Sequence, residues 1–368
     1  MRVLVMADSM FASRERPLLS LQEMGLADEG VEVIHAVPEG GPRAPAAPGV
    51  FRRMVRYPAR TFSLTRGLAV RRIIMDLAAL DQEHEPEPVD IVHVFGGNAW
   101  RLGITLAEEL EAALALELWR HGLTAKLAEV LEDLPSSCAA LAPDPVVEHD
   151  ARRVAPHLKV FLAPWGVLAQ TPRAILPTDR SASVMIVGTG RDAARFAAVL
   201  AGLAPIVRER GDVMIFCDAA AARRSDLWPI ARRLQLLDKL SLVEDLEGRR
   251  DLLVQGDLLV HPESSGDQRS VLLEAMARGM VVVAATDRRV SWLVDGVTAR
   301  LVPDESPSCW ERVFRDVFTN VNRARELGLS AHHYVREHRK ASAHVRSVMH
   351  AYTQLLRAPA APSPAPAA

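Results

Sequence analysis

Short apolar runs rich in β-branched residues alternate with longer amphipathic runs along most of the chain. That alternation marks βα units around parallel sheets covered on both faces. In the first half it predicts strands over residues 3–6, 31–37, 90–95, 113–118, 138–141 and 159–163, with helices around 17–29, 101–111, 123–134 and 146–154. The pattern then restarts. A second strand series falls at 184–187, 213–217, 240–243, 258–261, 281–284 and 299–302, with helices around 192–204, 219–237, 249–255 and 269–278. Two series of about six strands each predict an α/β protein of two doubly wound Rossmann-like domains facing a cleft.

Pro164, Gly166, Pro172 and Pro177 break both periodicities and place the joint between them. After Pro303 the pattern is wholly helical through Leu356. The expected division is an N-terminal Rossmann-like domain over residues 1–165 and a C-terminal one over 166–340. A helix over 341–357 should pack back toward the first domain, and the Ala/Pro-rich tail over 358–368 should be disordered.

A length of 368 residues exceeds what one core usually supports, which agrees with two domains. With 49% hydrophobic and 24% charged residues, a disordered chain and a collagen-like repeat are excluded. The net charge of -2 supplies no global field for nucleic acid, so any anion binding must be local. Cys138, Cys217 and Cys309 are too scattered for a disulfide framework or a closed zinc site. No run matches a signal-peptide core or a membrane span, so a cytoplasmic protein is expected. His332, His333, His338, His344 and His350 are spaced so that their rings do not stack on one helix face, and no metal is expected.

One segment departs from the overall charge balance. Between Glu39 and Asp76 there is no acidic residue, while Arg52, Arg53, Arg56 and Arg60 stand among other arginines, interleaved with Phe51, Met54, Val55, Tyr57, Phe62 and Leu64. Guanidinium forks with apolar neighbours suit an anionic acceptor or an anionic membrane surface met peripherally. A solvated arginine face on a helix over the sheet is the plain alternative.

The most informative stretch runs over residues 257–302. A strand is followed by the polar turn 262–267 and a helix holding Glu274, which Gly279 ends. Unpaired amides of that helix's first turn favour an anion at the strand's carboxyl end. Pro262, Leu273, Glu274, Ala275, Met276, Ala277, Gly279 and the strand 281–283 make up one motif, continued by Asp295, Gly296, Val297, Thr298, Leu301 and Val302. In these residues the chain resembles the donor domain of retaining glycosyltransferases of the GT-B fold, the group often called family 4. Upstream, the strand 90–94 and the run Ala163, Pro164, Trp165, Gly166, Val167 are similar to the family as well.

The resemblance implies a metal-independent transfer of sugar from a nucleotide-sugar to a glycan or lipid-linked acceptor. It needs no cofactor beyond the donor substrate. Donor-binding residues would be Gly188, Thr189, Gly190, Arg191, Gly266, Asp267, Gln268, Arg269, Ser270, Val271 and Glu274. Glu274 would accept from the nucleotide ribose, the alternative being a salt bridge to Arg278 one turn on. His93 is the candidate catalytic residue, in contact with sugar, against the alternative of a structural histidine.

Departures from the family pattern are specific. Its first glutamate, eight positions before the second, is Gly266 here; where the family has a diphosphate-binding arginine just after the first glycine and a lysine about five residues later, Gly188 is followed by Thr189 and Gly190 and no lysine. Its N-terminal Gly-Gly loop is replaced by Ala7, Asp8 and Ser9, and neither Leu118 nor Trp119 supplies its later histidine. Arg191 and Arg269 are candidates to compensate at the diphosphate. Loss of these groups together also fits a GT-B relative that no longer catalyses and binds glycan or protein. Residues 188–193 match the dinucleotide pattern G-x-G-x-x-A, with Asp218 as the acidic partner, which keeps an NAD(P)-dependent oxidoreductase as a third reading.

Overall fold

Runs such as RVLVMA and VVVAA have no polar side, and their residues are buried throughout in the strands they form. Such strands need cover on both faces, which parallel sheets flanked by helices provide. A computed structural model describes residues 1–40, 53–81 and 87–357. The tail 358–368 and Arg52 therefore lie outside the described residues. Contacts divide the chain into one unit of Met1–Pro164 with Ala341–Ala368 and a second of Trp165–Lys340.

The first unit runs β1 (Arg2–Ala7), α1 (Ser9–Arg14), α2 (Arg16–Asp28), β2 (Glu32–Pro38), β3 (Met54–Tyr57), α3 (Ser63–Leu80) and β4 (Ile91–Phe95). It continues through α4 (Trp100–Glu109), β5 (Ala113–Glu117), α5 (Gly122–Val130), β6 (Cys138–Ala142), α6 (Pro145–Val154) and β7 (Lys159–Leu162). The second unit runs β8 (Ala182–Ile186), α7 (Ala193–Arg210), β9 (Val213–Asp218), α8 (Ala219–Arg224), α9 (Leu227–Arg233), β10 (Leu240–Val243) and β11 (Leu258–His261). Then come α10 (Ser270–Ala277), β12 (Val281–Ala285), β13 (Arg300–Val302), α11 (Pro307–Thr319) and α12 (Val321–His338). The last helix, α13 (Ala341–Leu356), belongs to the first unit.

Among the described residues the first sheet has seven strands in the order β3-β2-β1-β4-β5-β6-β7 and the second six in the order β10-β9-β8-β11-β12-β13. Every strand pair is parallel. The expected α/β class with two Rossmann-like sheets is what forms. In each sheet the order reverses once, between β1 and β4 and between β8 and β11. Ligands of doubly wound sheets bind outside the strand carboxyl ends at such reversals.

Some elements differ from expectation. Residues 54–57, in the segment for which an arginine face on a helix is the plain alternative, form the edge strand β3 with alternating exposed and buried positions, and the helix expected around 249–255 is a 3-10 helix over Arg250–Gln255. Val55 and Tyr57 face inward, and the Tyr57 hydroxyl donates to the Ala7 carbonyl at 2.6 Å. The single helix expected over 219–237 is two, α8 and α9, broken where Asp226 takes a left-handed φ of 50°.

Helix packing follows the apolar stripes. Along α11, Trp310, Val313, Phe314, Val317 and Phe318 recur at helical spacing, are buried, and lie against α7. Gly202 permits the contact: a Cβ there would sit 2.7 Å from Trp310 Cβ and 2.8 Å from the Glu311 amide nitrogen. Among the described residues no helix is long and apolar enough to cross a membrane.

Candidate functional site

The second sheet's reversal brings two loops together, because β8 and β11 are neighbours and both loops leave their carboxyl ends. One is the turn 188–191 before α7; the other is the loop 262–269 before α10. The turn needs its glycines. Gly190 has φ +70°, and a Cβ on it would come within 2.3 Å of the Ala221 carbonyl oxygen at the start of α8. Gly188 has φ +149°, and a Cβ there would lie 3.1 Å from Glu263 Oε2.

Glu263 is the centre of the arrangement. It is buried, and its carboxylate reaches from the β11 loop into the turn. Thr189 N donates to Oε2 at 2.6 Å and Arg191 N to Oε1 at 3.2 Å, while the Thr189 hydroxyl donates to Oε1 as well. Arg224 donates to the Thr189 carbonyl from outside the turn. Arg195 donates to Ser264 Oγ and pairs with Asp192 at 2.9 Å.

Helix α10 starts at Ser270 with Arg269 as its N-cap and no side-chain capping bond. Ser270 Oγ accepts from Arg250 Nη2 at 3.0 Å. Arg250 Nε lies 3.5 Å from Glu274 Oε1, and Arg278 Nη1 lies 3.4 Å from Glu274 Oε2. Glu274 is partly exposed between these two guanidinium groups. Gln268 Oε1 accepts from the Trp292 indole at 2.8 Å, and Gly266, at φ +71°, donates its amide to Asp287 Oδ2 at 2.6 Å. Asp267, next to it, is half-buried, and Val271 is buried in the helix.

Titratable groups behind the loops are perturbed by burial. Asp218 caps α8 through Ala221 N at 3.0 Å and accepts Leu246 N at 3.1 Å; burial nevertheless pushes its carboxyl up, with Glu247 adding to the shift. Burial pushes the His261 imidazole down.

The turn 188–191 and the loop that carries Gly266, Asp267, Gln268 and Arg269 thus meet at Glu263, and Ser270 and Val271 open the helix that follows. Arg269 is a correction: it is 1% exposed and ion-paired with the buried Glu247, so its guanidinium does not face outward toward a diphosphate. Arg191 is exposed. Asp218 is committed to its two backbone amides at the end of β9. Glu263 and Glu247 escaped sequence reasoning. Glu263 carried one signal, a carboxylate directly after an apolar strand and Pro262, where burial demands donors.

The first unit's reversal is closed in a similar way. Asp8 replaces the glycine loop of the resemblance; its Oδ1 accepts Phe11 N at 2.9 Å and its Oδ2 accepts Asn98 N at 3.2 Å. Gly96, with φ +95°, lies so close that a Cβ would meet the Asp8 carboxyl at 2.2 Å. His93, the candidate catalytic residue, has no exposed surface. Its Nδ1 is 2.8 Å from the Tyr352 hydroxyl of α13 and its Nε2 is 3.4 Å from Glu117 Oε2, so the ring joins α13 to the sheet instead of meeting a sugar. Arg53 is held by Glu32 and Asp81, whereas Arg56 and Arg60 are exposed. Among the described residues no three His, Cys, Asp or Glu side chains are grouped to hold a metal ion.

No family model matches the chain, and no curated protein matches it in sequence. Solved structures do match along nearly all of its length. Sucrose-phosphate synthase from Thermosynechococcus elongatus superposes with a TM-score of 0.74 at 15% identity, over 96% of this chain and 99% of its own. HepE from Anabaena, solved in complex with UDP, gives 0.70 at 13% identity over 96% and 100%. WaaG, a glycosyltransferase involved in lipopolysaccharide biosynthesis, gives 0.63 at 15% identity over 94% and 98%. The fold is GT-B. Within that GT-B frame, the loops meeting at Glu263 are the second Rossmann-like unit's ligand-facing edge by topology.

Proposed function

We propose that the chain is a glycosyltransferase-like protein that binds a nucleotide-sugar through its second unit and transfers the sugar, with retention and without a metal, to a glycan or lipid-linked acceptor. The observation that carries this reading is the meeting of the 188–191 turn with Glu263, in the loop that leads from β11 into α10, at the β8/β11 reversal. Solved neighbours of the same fold hold UDP and UDP-glucose. In this reading Glu274 accepts from the ribose, and the N-terminal end of the α10 dipole with exposed Arg191 stabilises the leaving diphosphate. Little covalent work falls to side chains; positioning of donor and acceptor lowers the barrier. The first unit would present the acceptor. Its helix α3 exposes Leu64, Leu68 and Met75 beside Arg71, a combination that supports peripheral contact with an anionic membrane surface.

A second reading, a GT-B relative that has lost catalysis, is favoured by a specific set of contacts. Glu263 takes the turn amides, Glu247 takes Arg269, and Gly266 stands where the family's first glutamate would. Thermal shift with UDP, GDP, ADP and NAD separates the readings. A uridine or guanosine diphosphate response of about 2.7 kcal/mol at a hundredfold excess over Kd supports the transferase. Response to NAD alone would turn the assignment to an oxidoreductase, and silence with all four to the non-catalytic relative.

A further inference from the structure

A glycine turn at the carboxyl end of a β-strand, opening a helix, offers its backbone amides to an anion. In this chain those amides already have one. The Glu263 carboxylate receives Thr189 N at 2.6 Å and Arg191 N at 3.2 Å, together with the Thr189 hydroxyl, in a position that is 6% exposed. The fit is close: Glu263 Oε2 packs against the turn, and a Cβ at 188 would lie 3.1 Å from it, nearer than ordinary van der Waals contact. On the other side the turn rests on the Ala221 backbone, 2.3 Å from where a Gly190 Cβ would be. The turn cannot shift toward α8 to admit a second anion beside the first.

We infer that Glu263 is an internal stand-in for a phosphate, seated on the 188–191 turn, and that a nucleoside diphosphate reaches these amides only by displacing it. The inference rests on the proposed donor site and names the residue that limits its affinity. Two negative groups cannot share one set of donors in a low-dielectric pocket, because their repulsion at about 4 Å amounts to several kcal/mol even at an effective dielectric of about 20. Glu263 is therefore an affinity-limiting residue: it lowers affinity for every phosphate ligand alike, and the choice among ligands falls to other contacts.

Isothermal titration of the full chain with UDP, GDP, ADP and inorganic pyrophosphate tests this. Glu263→Gln keeps the shape and removes the charge, and Glu263→Ala opens the seat. Both should bind about tenfold or more tightly than the unchanged protein. Glu244→Gln, at an exposed carboxylate paired with Arg223, changes net charge equally and should leave affinity within about twofold. Folded variants that bind no probe more tightly overturn the inference. If the unchanged protein binds a nucleoside diphosphate in that case, the donor-site reading survives it. Tighter pyrophosphate binding without any nucleoside diphosphate supports the inference and removes the donor-site reading; no binding by any protein removes both. Should the Gln and Ala variants fail to fold by circular dichroism, Glu263→Asp, whose shorter side chain draws the carboxylate back from the turn amides, is read against the same outcomes.

Discussion

Replacing Tyr352 with phenylalanine removes a single oxygen from the interior of the first unit. Tyr352 and His93 are both 0% exposed, and the hydroxyl lies 2.8 Å from His93 Nδ1. Burial pushes the phenol upward from its ordinary range, so the group is neutral at every working pH. The loss combines a net hydrogen bond of about 1 kcal/mol with a stranded buried nitrogen, for a total of about 2–3 kcal/mol. In a unit of this size each kcal/mol moves the melting midpoint by about 2–4 °C, which gives a fall of about 4–12 °C. Urea unfolding of Tyr352→Phe, His93→Leu and the double variant measures the coupling, expected at about 1 kcal/mol or more for partners in direct contact. Losses that add to within about 0.3–0.5 kcal/mol would refute the assignment of His93 to the docking of α13. Affinity for nucleotide should stay unchanged in Tyr352→Phe, because this pair lies in the first unit's core.

Gly202→Ala should destabilise the second unit by about 1–3 kcal/mol in thermal or urea unfolding, since the new methyl meets the Glu311 amide nitrogen at 2.8 Å, a backbone atom that cannot rotate away. Trp310→Ala, at 1% exposure in the same contact, should cost about 3–5 kcal/mol. The buried Arg2 guanidinium bonds both oxygens of Asp81, at 2.6 and 2.7 Å, and holds its carboxyl below the usual aspartate range. The stability this supplies is complete above about pH 4 and is lost as pH falls through the lowered native value, so Asp81→Asn should flatten the acid limb of a stability curve measured against pH.

Periodicity carried the architecture because a strand buried on both faces must be apolar along nearly its whole length, as in β12 throughout and in β1 and β4 apart from Arg2 and His93. Local composition failed where two signals overlapped. In β3 the alternation of Met54, Val55, Arg56 and Tyr57 is genuine, but it spans only four residues inside a run of arginines, too short to outweigh the charge pattern. At 219–237 an apolar, alanine-rich run concealed the break at Asp226, whose left-handed backbone is a tertiary solution. At the candidate site, the 188–191 turn and the start of α10 were legible from glycine spacing and strand–helix alternation. The ion pair of Arg269 with Glu247 and the burial of His93 were not, because each partner comes from a separate stretch of chain.

The amino-acid order alone therefore established two parallel sheets, their helices and a glycine turn able to take an anion, all of which are properties of contiguous residues. Which anion occupies that turn was decided only when β11 came to lie beside β8. That pairing brings Glu263 to Thr189 across 74 positions of sequence. A carboxylate and a phosphate satisfy the same amides, and the choice between them depends on proximity that no local pattern encodes.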